Sequence, residues 1–250
     1  MPNTRYPRKR KKRRSALSVP LSFIVICAAI VFGMSVFFRV SKIEVSGATQ
    51  YSEAEIIEAS GIESGDNLFF LNRFTAISRL YSKLPYVEEA QINRVFPNKV
   101  IITVNESVKI AYVHAETELW AIDRKCKLLE KISHTEAYGL IEVAGLTPAA
   151  PGGGAILTVG EEEGIKVGYL ADILDAIQSR DMQGDVRRID MSNPANPSFE
   201  YLDRFIVKLG ANDSTSYKFE ALLGAIQKLS PNDAGTIDLS IKKEVHFSPD

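Results

Sequence analysis

The longest apolar run in the chain covers residues 15–38, an uncharged stretch rich in Leu, Ile, Val, Phe and Ala. A helix needs about 20 mostly apolar residues to cross the hydrocarbon core of a bilayer, and this stretch is long enough. Pro20 lies near its start, where a missing amide is tolerated because first-turn N–H groups have no intrahelical partner. After the run the pattern breaks into short periods. Ile43 and Val45 alternate with Lys42 and Glu44, the period of a half-buried strand, and Gly47 stops it. Ser52 and Glu55 have capping-box spacing and predict a helix through Ala59, ended by Gly61. Leu71, Phe74, Ile77, Leu80 and Leu84 recur at helical spacing behind Asn72 as an N-cap, and Pro85 ends that helix. Two strands follow, 87–95 and 99–105, around a Pro97-Asn98 turn. Val100, Ile102 and Val104 form one apolar face of the second.

The remainder reads as mostly β with helices. Residues 119–129 predict a hairpin turning at Asp123, and 139–146 a further strand and exit turn; 147–160 is a loop rich in Pro and Gly. Val167, Leu170, Ile173, Leu174 and Ile177 mark one amphipathic helix, and Leu222, Leu223, Ile226 and Leu229 a second. Between them, 186–191 and 199–209 read as strands around the turn-rich 192–198, and 236–241 as the last strand. The fold class is α+β.

Charge changes this picture by giving it a direction. Of the 30 Lys and Arg residues, eight lie within 1–38, where there is no acid. The remaining 22 face all 31 acids, a formal charge of −9 behind a net −1 for the chain. Cations cluster before the apolar run, with Arg39 alone at its exit, so the positive-inside rule places the N-terminus in the cytoplasm and the rest outside it. A cleaved secretory signal also starts basic and apolar, but its core is shorter, and Gly33-Met34-Ser35 is a poor cleavage site. A nucleic-acid role for the basic run is set aside, because topology and anionic lipid explain such a run beside a membrane span. Cys27 in the span and Cys126 beyond it cannot pair within one chain, which leaves Cys126 as a lone structural thiol.

Candidate chemistry is sparse. His114, His134 and His246 lack metal-ligand spacing. Ser240-Ile-Lys-Lys243 matches the S-x-x-K string of penicillin-binding enzymes without the companion S-D-N and K-T-G elements. Pro151-Gly-Gly-Gly154 has no Lys-Ser/Thr at phosphate-loop spacing. These observations predict no enzyme, no cofactor and no metal.

Three stretches carry a resemblance: Phe38-Arg-Val-Ser-Lys-Ile-Glu-Val-Ser-Gly47, Leu84-Pro-Tyr-Val87, and Arg94-Val-Phe-Pro-Asn-Lys-Val-Ile-Ile-Thr-Val-Asn-Glu106. In order and spacing they resemble the POTRA domain of the FtsQ/DivIB family of bacterial cell-division proteins. Leu209-Gly210, Lys218 and Gly235-Thr-Ile-Asp-Leu239 extend the likeness to that family's β domain. The chain departs from the family in three places. It lacks the usual Pro in Glu106-Ser-Val-Lys-Ile-Ala111, has Cys126 where a turn glycine is common, and has Ser240-Ile241 for an Arg-Tyr pair.

The resemblance implies a division by segment: 1–16 a basic cytoplasmic tail, 17–38 a transmembrane helix, 39–107 a POTRA domain (β-α-α-β-β), and 108–250 a mostly β domain with flanking helices. It implies a non-catalytic divisome scaffold at the division septum. Its partners would be the membrane, small bitopic division proteins of the FtsL and FtsB/DivIC type, and septal peptidoglycan synthases, with no nucleic acid. A strand at a sheet edge can recruit an extended segment by strand addition. Carried onto this sequence, the partner-binding surface is Ile237, Leu239, Ile241, Lys243, Val245 and Phe247. The same alternation would equally turn Ile237, Leu239 and Ile241 into the core. The rival readings are a POTRA-type polypeptide-binding factor in export or envelope assembly, and a membrane-anchored cell-wall enzyme.

Overall fold

The computed structural model of the chain describes residues 18–160, 164–241 and 244–249. Helix α1 (Ser18–Phe37) carries no charge, and none of its window Pro20–Phe37 is buried against the rest of the chain. By length and composition it can cross a membrane, and it fits a single-pass anchor.

The next unit runs β1 (Lys42–Ser46), α2 (Glu53–Ser60), α3 (Arg73–Lys83), β2 (Val87–Val95) and β3 (Lys99–Glu106). β3 is central, parallel to β1 and antiparallel to β2. The local signals act as their chemistry requires. The Ser52 side chain accepts from the Glu55 amide while the Glu55 carboxylate accepts from the Ser52 amide (2.8 Å), and Asn72 caps α3 by accepting from the Thr75 amide (3.2 Å). Ile56, Leu68, Leu80, Ile92, Val100, Ile102 and Val104 form the core between the helices and the sheet. Phe74 corrects the expected helix face. Leu71, Leu80 and Leu84 turn inward as expected, and Ala76 with them, but Phe74, two residues before Ala76 and so about 200° around the helix, is 81% exposed.

The second unit is one nine-stranded mixed sheet, ordered β12-β11-β10-β9-β8-β7-β4-β5-β6. Its strands are β4 (Ala111–Ala115), β5 (Glu118–Ile122), β6 (Leu128–Ile132), β7 (Ile141–Ala144), β8 (Val186–Asp190), β9 (Ser198–Tyr201), β10 (Phe205–Lys208), β11 (Gly235–Asp238) and β12 (His246–Pro249). Helix α4 (Gly164–Gln178) connects the parallel neighbours β7 and β8, and α5 (Thr215–Ile226) connects β10 and β11. Tyr169, Leu170, Ile173, Leu174, Ile177, Phe219 and Leu222 from these helices join the main core of the sheet.

The sequence reading needs three corrections in this unit. β4 was not expected, 199–209 is a hairpin rather than one strand, and 236–241 does not end the sheet. The hairpin turns through Leu202 and Asp203, both left-handed (φ 56° and 55°), positions that usually take Asn or Gly. Cys126, by contrast, sits at φ 59° in the turn where a glycine is common. Its thiol is buried, and burial pushes its pKa well above the usual thiol value.

The two units are joined by more than the chain. The turn at Asp123 packs on the start of β2. Ser107 Oγ and the amides of Lys125 and Lys127 donate to the buried Asp123 carboxylate at 2.7–2.9 Å, which shapes the turn. From it Arg124 and Lys125 reach Glu88 (2.8 and 2.9 Å), and Lys127 Nζ donates to the Val87 carbonyl (2.8 Å). Beside them Tyr86 Oη and Lys109 Nζ both donate to Glu130 Oε1 at 2.7 Å. Hydrogen bonds from Lys109 and Tyr86 hold the Glu130 carboxyl below the usual carboxylate range. At Glu88 burial pushes the other way but is outweighed by Arg124 and Lys125.

Glu106, the last residue of β3, gathers the loop between β1 and α2. It accepts from the Thr49 hydroxyl (2.6 Å) and from the amides of Thr49 (2.8 Å), Gln50 (2.8 Å) and Tyr51 (3.3 Å). Burial would raise its pKa, but these donors outweigh burial and lower it. A lowered folded pKa adds stability above the unfolded value of about 4.3, and that stability is lost as pH falls through the folded value. Glu106→Gln should therefore cost about 1–3 kcal/mol in urea unfolding of residues 39–250 at pH 7. The difference from wild type should shrink as pH falls below the unfolded value and through the lower folded one, where the native carboxylate protonates too. An equal difference at pH 7 and pH 3 would contradict this role.

Candidate partner-binding edge

An open sheet ends in two rows of unpaired backbone groups, and this sheet treats its two ends differently. At the β6 end the chain pairs with the start of the edge strand: Ile156 bridges Lys127, the Leu128 amide donates to the Ala155 carbonyl (2.8 Å), and the Gly154 amide to the Leu128 carbonyl (2.8 Å). At the other end β12 pairs antiparallel with β11, and among the described residues no strand pairs with its outer side.

β12 is a weak strand, with one large apolar residue in His246–Pro249, so its neighbours must hold it. Gly235 lies directly under it at φ 147°, and a Cβ there would sit 2.2 Å from the Ser248 carbonyl oxygen. Phe247, opposite Ile237 in register, packs its half-buried ring edge-on to Phe205 (6.1 Å). Arg204 covers the Phe205 ring at 4.5 Å and donates to the carbonyls of Ser230 (3.0 Å), Pro231 (2.8 Å) and Asp233 (2.9 Å), fixing the entry to β11.

The connection from β11 to β12 is shaped in the same way. Ser240 crosses Gly210 so closely that a Cβ on Gly210 would lie 2.6 Å from the Ser240 Cα. Tyr169 Oη donates to the Gly210 and Ala211 carbonyls (3.1 and 3.3 Å). The buried Lys218 Nζ also donates to the Ala211 carbonyl, and to Asp213 Oδ1 at 2.6 Å. Asp238 accepts from the Ser240 amide (2.8 Å); burial would raise its pKa, and hydrogen bonds from Ser240 outweigh it. Between α5 and this connection lies a groove of about 240 Å³, lined by Tyr217, Lys218, Ala221, Leu239, Ile241 and Glu244 among others. Gly210, Lys218 and Gly235, noted in the sequence as markers, are thus the residues that build this edge.

The six residues expected to form a partner surface separate. Ile237 (0% exposed) and Leu239 (2%) are core residues, because their face of β11 points at the helices. Ile241 (50%) and Val245 (37%) are exposed, Phe247 is half-buried, and Lys243 lies outside the described residues. The edge itself is formed by β12, not by 236–241. Tyr217, 49% exposed on α5, belongs to the groove and was missed; an aromatic on the polar face of an amphipathic helix was the available signal. His114 pairs with Glu142 (3.3 Å) and His246 with Glu244 (3.0 Å) at the surface, and the described residues hold no cluster of three metal-ligating side chains.

Replacing Gly235 by Ala places a methyl group against the Ser248 carbonyl in a backbone conformation that disfavours any side chain, a cost of about 1–3 kcal/mol. Amides of 246–249 should then exchange faster while those of β2 and β3 keep their protection, as read by hydrogen exchange. Unchanged protection in 246–249 would contradict the packing described.

Comparison with known proteins agrees with this architecture. The family model described as POTRA domain, FtsQ-type, matches residues 38–107. The chain is 25% identical over 235 residues to a cell division protein DivIB of Clostridium botulinum, covering 93% of this chain and 90% of that protein. It is 30% identical over 116 residues to DivIB of Bacillus subtilis (46% of this chain, 44% of that protein). Over 136 residues it is 29% identical to a cell division protein FtsQ of Corynebacterium glutamicum, covering 53% of this chain and 60% of that protein. With an FtsQ-type POTRA match behind an apolar helix and a DivIB-like match along nearly its whole length, the chain is similar to the FtsQ and DivIB cell-division proteins of bacteria.

Proposed function

We propose that the chain is a non-catalytic scaffold of the division machinery that docks an extended segment of a small bitopic division protein, of the FtsL or FtsB/DivIC type, along β12. The observation that carries this reading is the asymmetry of the sheet. At one end the chain pairs with the start of the edge strand, and at the other the edge is open, among the described residues, beside an apolar groove. Strand addition would supply backbone hydrogen bonds as affinity, and the groove would read side chains. Ile241 and Val245, exposed beside β12, would meet the docked segment, Lys243 keeps its expected partner role from the sequence, and Phe247, Ile237 and Leu239 hold β12 from the core side.

In this reading 1–16 is a cytoplasmic tail, 17–38 the membrane span, 39–107 the POTRA domain and 108–250 the β domain. The last two lie outside the cytoplasm at the septum. The excess of cations before the span and the acidic balance after it support that orientation. Septal peptidoglycan synthases would be engaged through the docked partners.

The test is co-purification of bitopic division proteins with the chain, comparing wild type with Ile241→Glu and Val245→Glu, two exposed positions where folding is spared. Each substitution should weaken recovery by about tenfold or more, the scale of a lost central contact. Undiminished recovery with both would move the interface elsewhere, and no recovery of division proteins by wild type would remove the scaffold reading.

A further inference from the structure

The POTRA unit carries exposed aromatic side chains. Phe70 and Phe74 are 79% and 81% exposed, and Phe96 is 53% exposed. Phe96 belongs to a ring cluster in which Phe38 meets Phe69 (4.9 Å) and Phe96 (5.6 Å) edge-on, while Phe69 and Phe96 lie 5.2 Å apart; Phe70 follows Phe69 in the same loop, and Phe74 lies in the first turn of α3 just after it. This cluster is bound to the end of α1. Asn67 Nδ2 donates to the Met34 carbonyl (3.0 Å), its Oδ1 accepts from the Phe69 amide (2.9 Å), and the Leu68 amide donates to the Phe38 carbonyl (2.9 Å). Arg39 Nε donates to the Ser35 carbonyl (3.2 Å) and so closes the last turn.

These bonds fix the depth of the loop. Met34 lies three residues inside Phe37, about 4.5 Å along the helix axis at a rise of about 1.5 Å per residue. A loop hydrogen-bonded there sits level with the final turn of the span, where a membrane helix leaves the hydrocarbon. Apolar side chains such as Phe at that level can bury about 5–10 Å into the boundary between headgroups and acyl chains. Away from a bilayer, these side chains would leave their apolar surface in water.

We infer that Phe70, Phe74 and Phe96 insert into the headgroup boundary of the leaflet that α1 leaves, seating the POTRA unit against the membrane in one orientation. The inference rests on α1 spanning the bilayer. The occupant is the lipid of that same leaflet, because the α1 connection brings it to the patch without any partner. The contact is apolar, so it should persist at high salt, unlike a surface held by Lys and Arg.

The experiment uses the full chain reconstituted at one copy per phosphatidylcholine nanodisc, with brominated lipid as quencher. Phe70→Trp and Phe74→Trp are each compared with the parent, whose buried Trp120 provides the background, and with Tyr138→Trp. Tyr138 is 94% exposed in the second unit. Trp at 70 and at 74 should emit to the blue of Trp at 138 and lose intensity with brominated lipid, equally at low and high salt. Adding Asn67→Ala should reduce the quenching while the chain still elutes with the discs. Water-like, unquenched emission from 70 and 74 in protein that elutes with the discs would overturn the seat. So would quenching that appears only with several copies per disc, which would assign the patch to self-association. A chain that does not elute with the discs at all would instead defeat the membrane-spanning reading of α1, and the seat with it.

Discussion

The constraint on which the structure turns is that a β-sheet cannot end without leaving backbone donors and acceptors unpaired. A sheet of nine strands with helices on one side has two such ends, and the chain pairs part of only one of them itself. Residues 154–157 of the Pro- and Gly-rich loop fold back on 126–128 and pair with the start of β6. The same loop touches the first unit, where Gly153 and Gly154 lie against Pro85, so pairing at that edge and joining the two units are one piece of packing. At the opposite end a short, weak strand is held in place by contacts beneath it, and its outer side is left to the surroundings.

That arrangement gives the domain order a physical sense. The first unit is tied to the end of the apolar helix by Asn67 and the Phe38 cluster, and to the second unit by the Asp123 turn, Glu88 and Glu130. The joint between the units combines hydrogen bonds and ion pairs, with the buried Asp123 carboxylate at the centre of its turn. Removing the donors to Asp123 would leave a buried charge without partners, which costs more than the bonds themselves contribute. The open edge is thereby held at a defined place relative to the helix, as the proposed scaffold role requires.

How much of this could be read beforehand varied with how local the signal was. The capping box at Ser52 and Glu55, the Asn72 cap, and the alternation through Val100, Ile102 and Val104 are determined by neighbours in sequence, and they were legible. So were the Asp123 hairpin and the two amphipathic helices of the sheet unit. β4 was not: Ala111-Tyr-Val-His-Ala115 places small alanines on its buried face, and its alternation is faint without the strands beside it. β12 was hidden for the same reason, with Phe247 as its single large apolar residue. The β9–β10 turn uses Leu202 and Asp203 in a conformation that tertiary packing imposes and residue type does not announce. At the candidate site, the markers Gly210, Lys218 and Gly235 were visible as residues, but what they build depends on chain crossings far apart in sequence.

The central claim is that the open edge, and not the opposite one, receives the division partner. It is tested most directly by photo-crosslinking in dividing cells, with the crosslinker placed at Ser248 on the exposed edge strand or at Ile156 in the segment paired at the opposite edge, both solvent-exposed positions. The account predicts that Ser248 joins to a small bitopic division protein and that Ile156 does not. Crosslinks to that partner from Ile156 with none from Ser248 would contradict it.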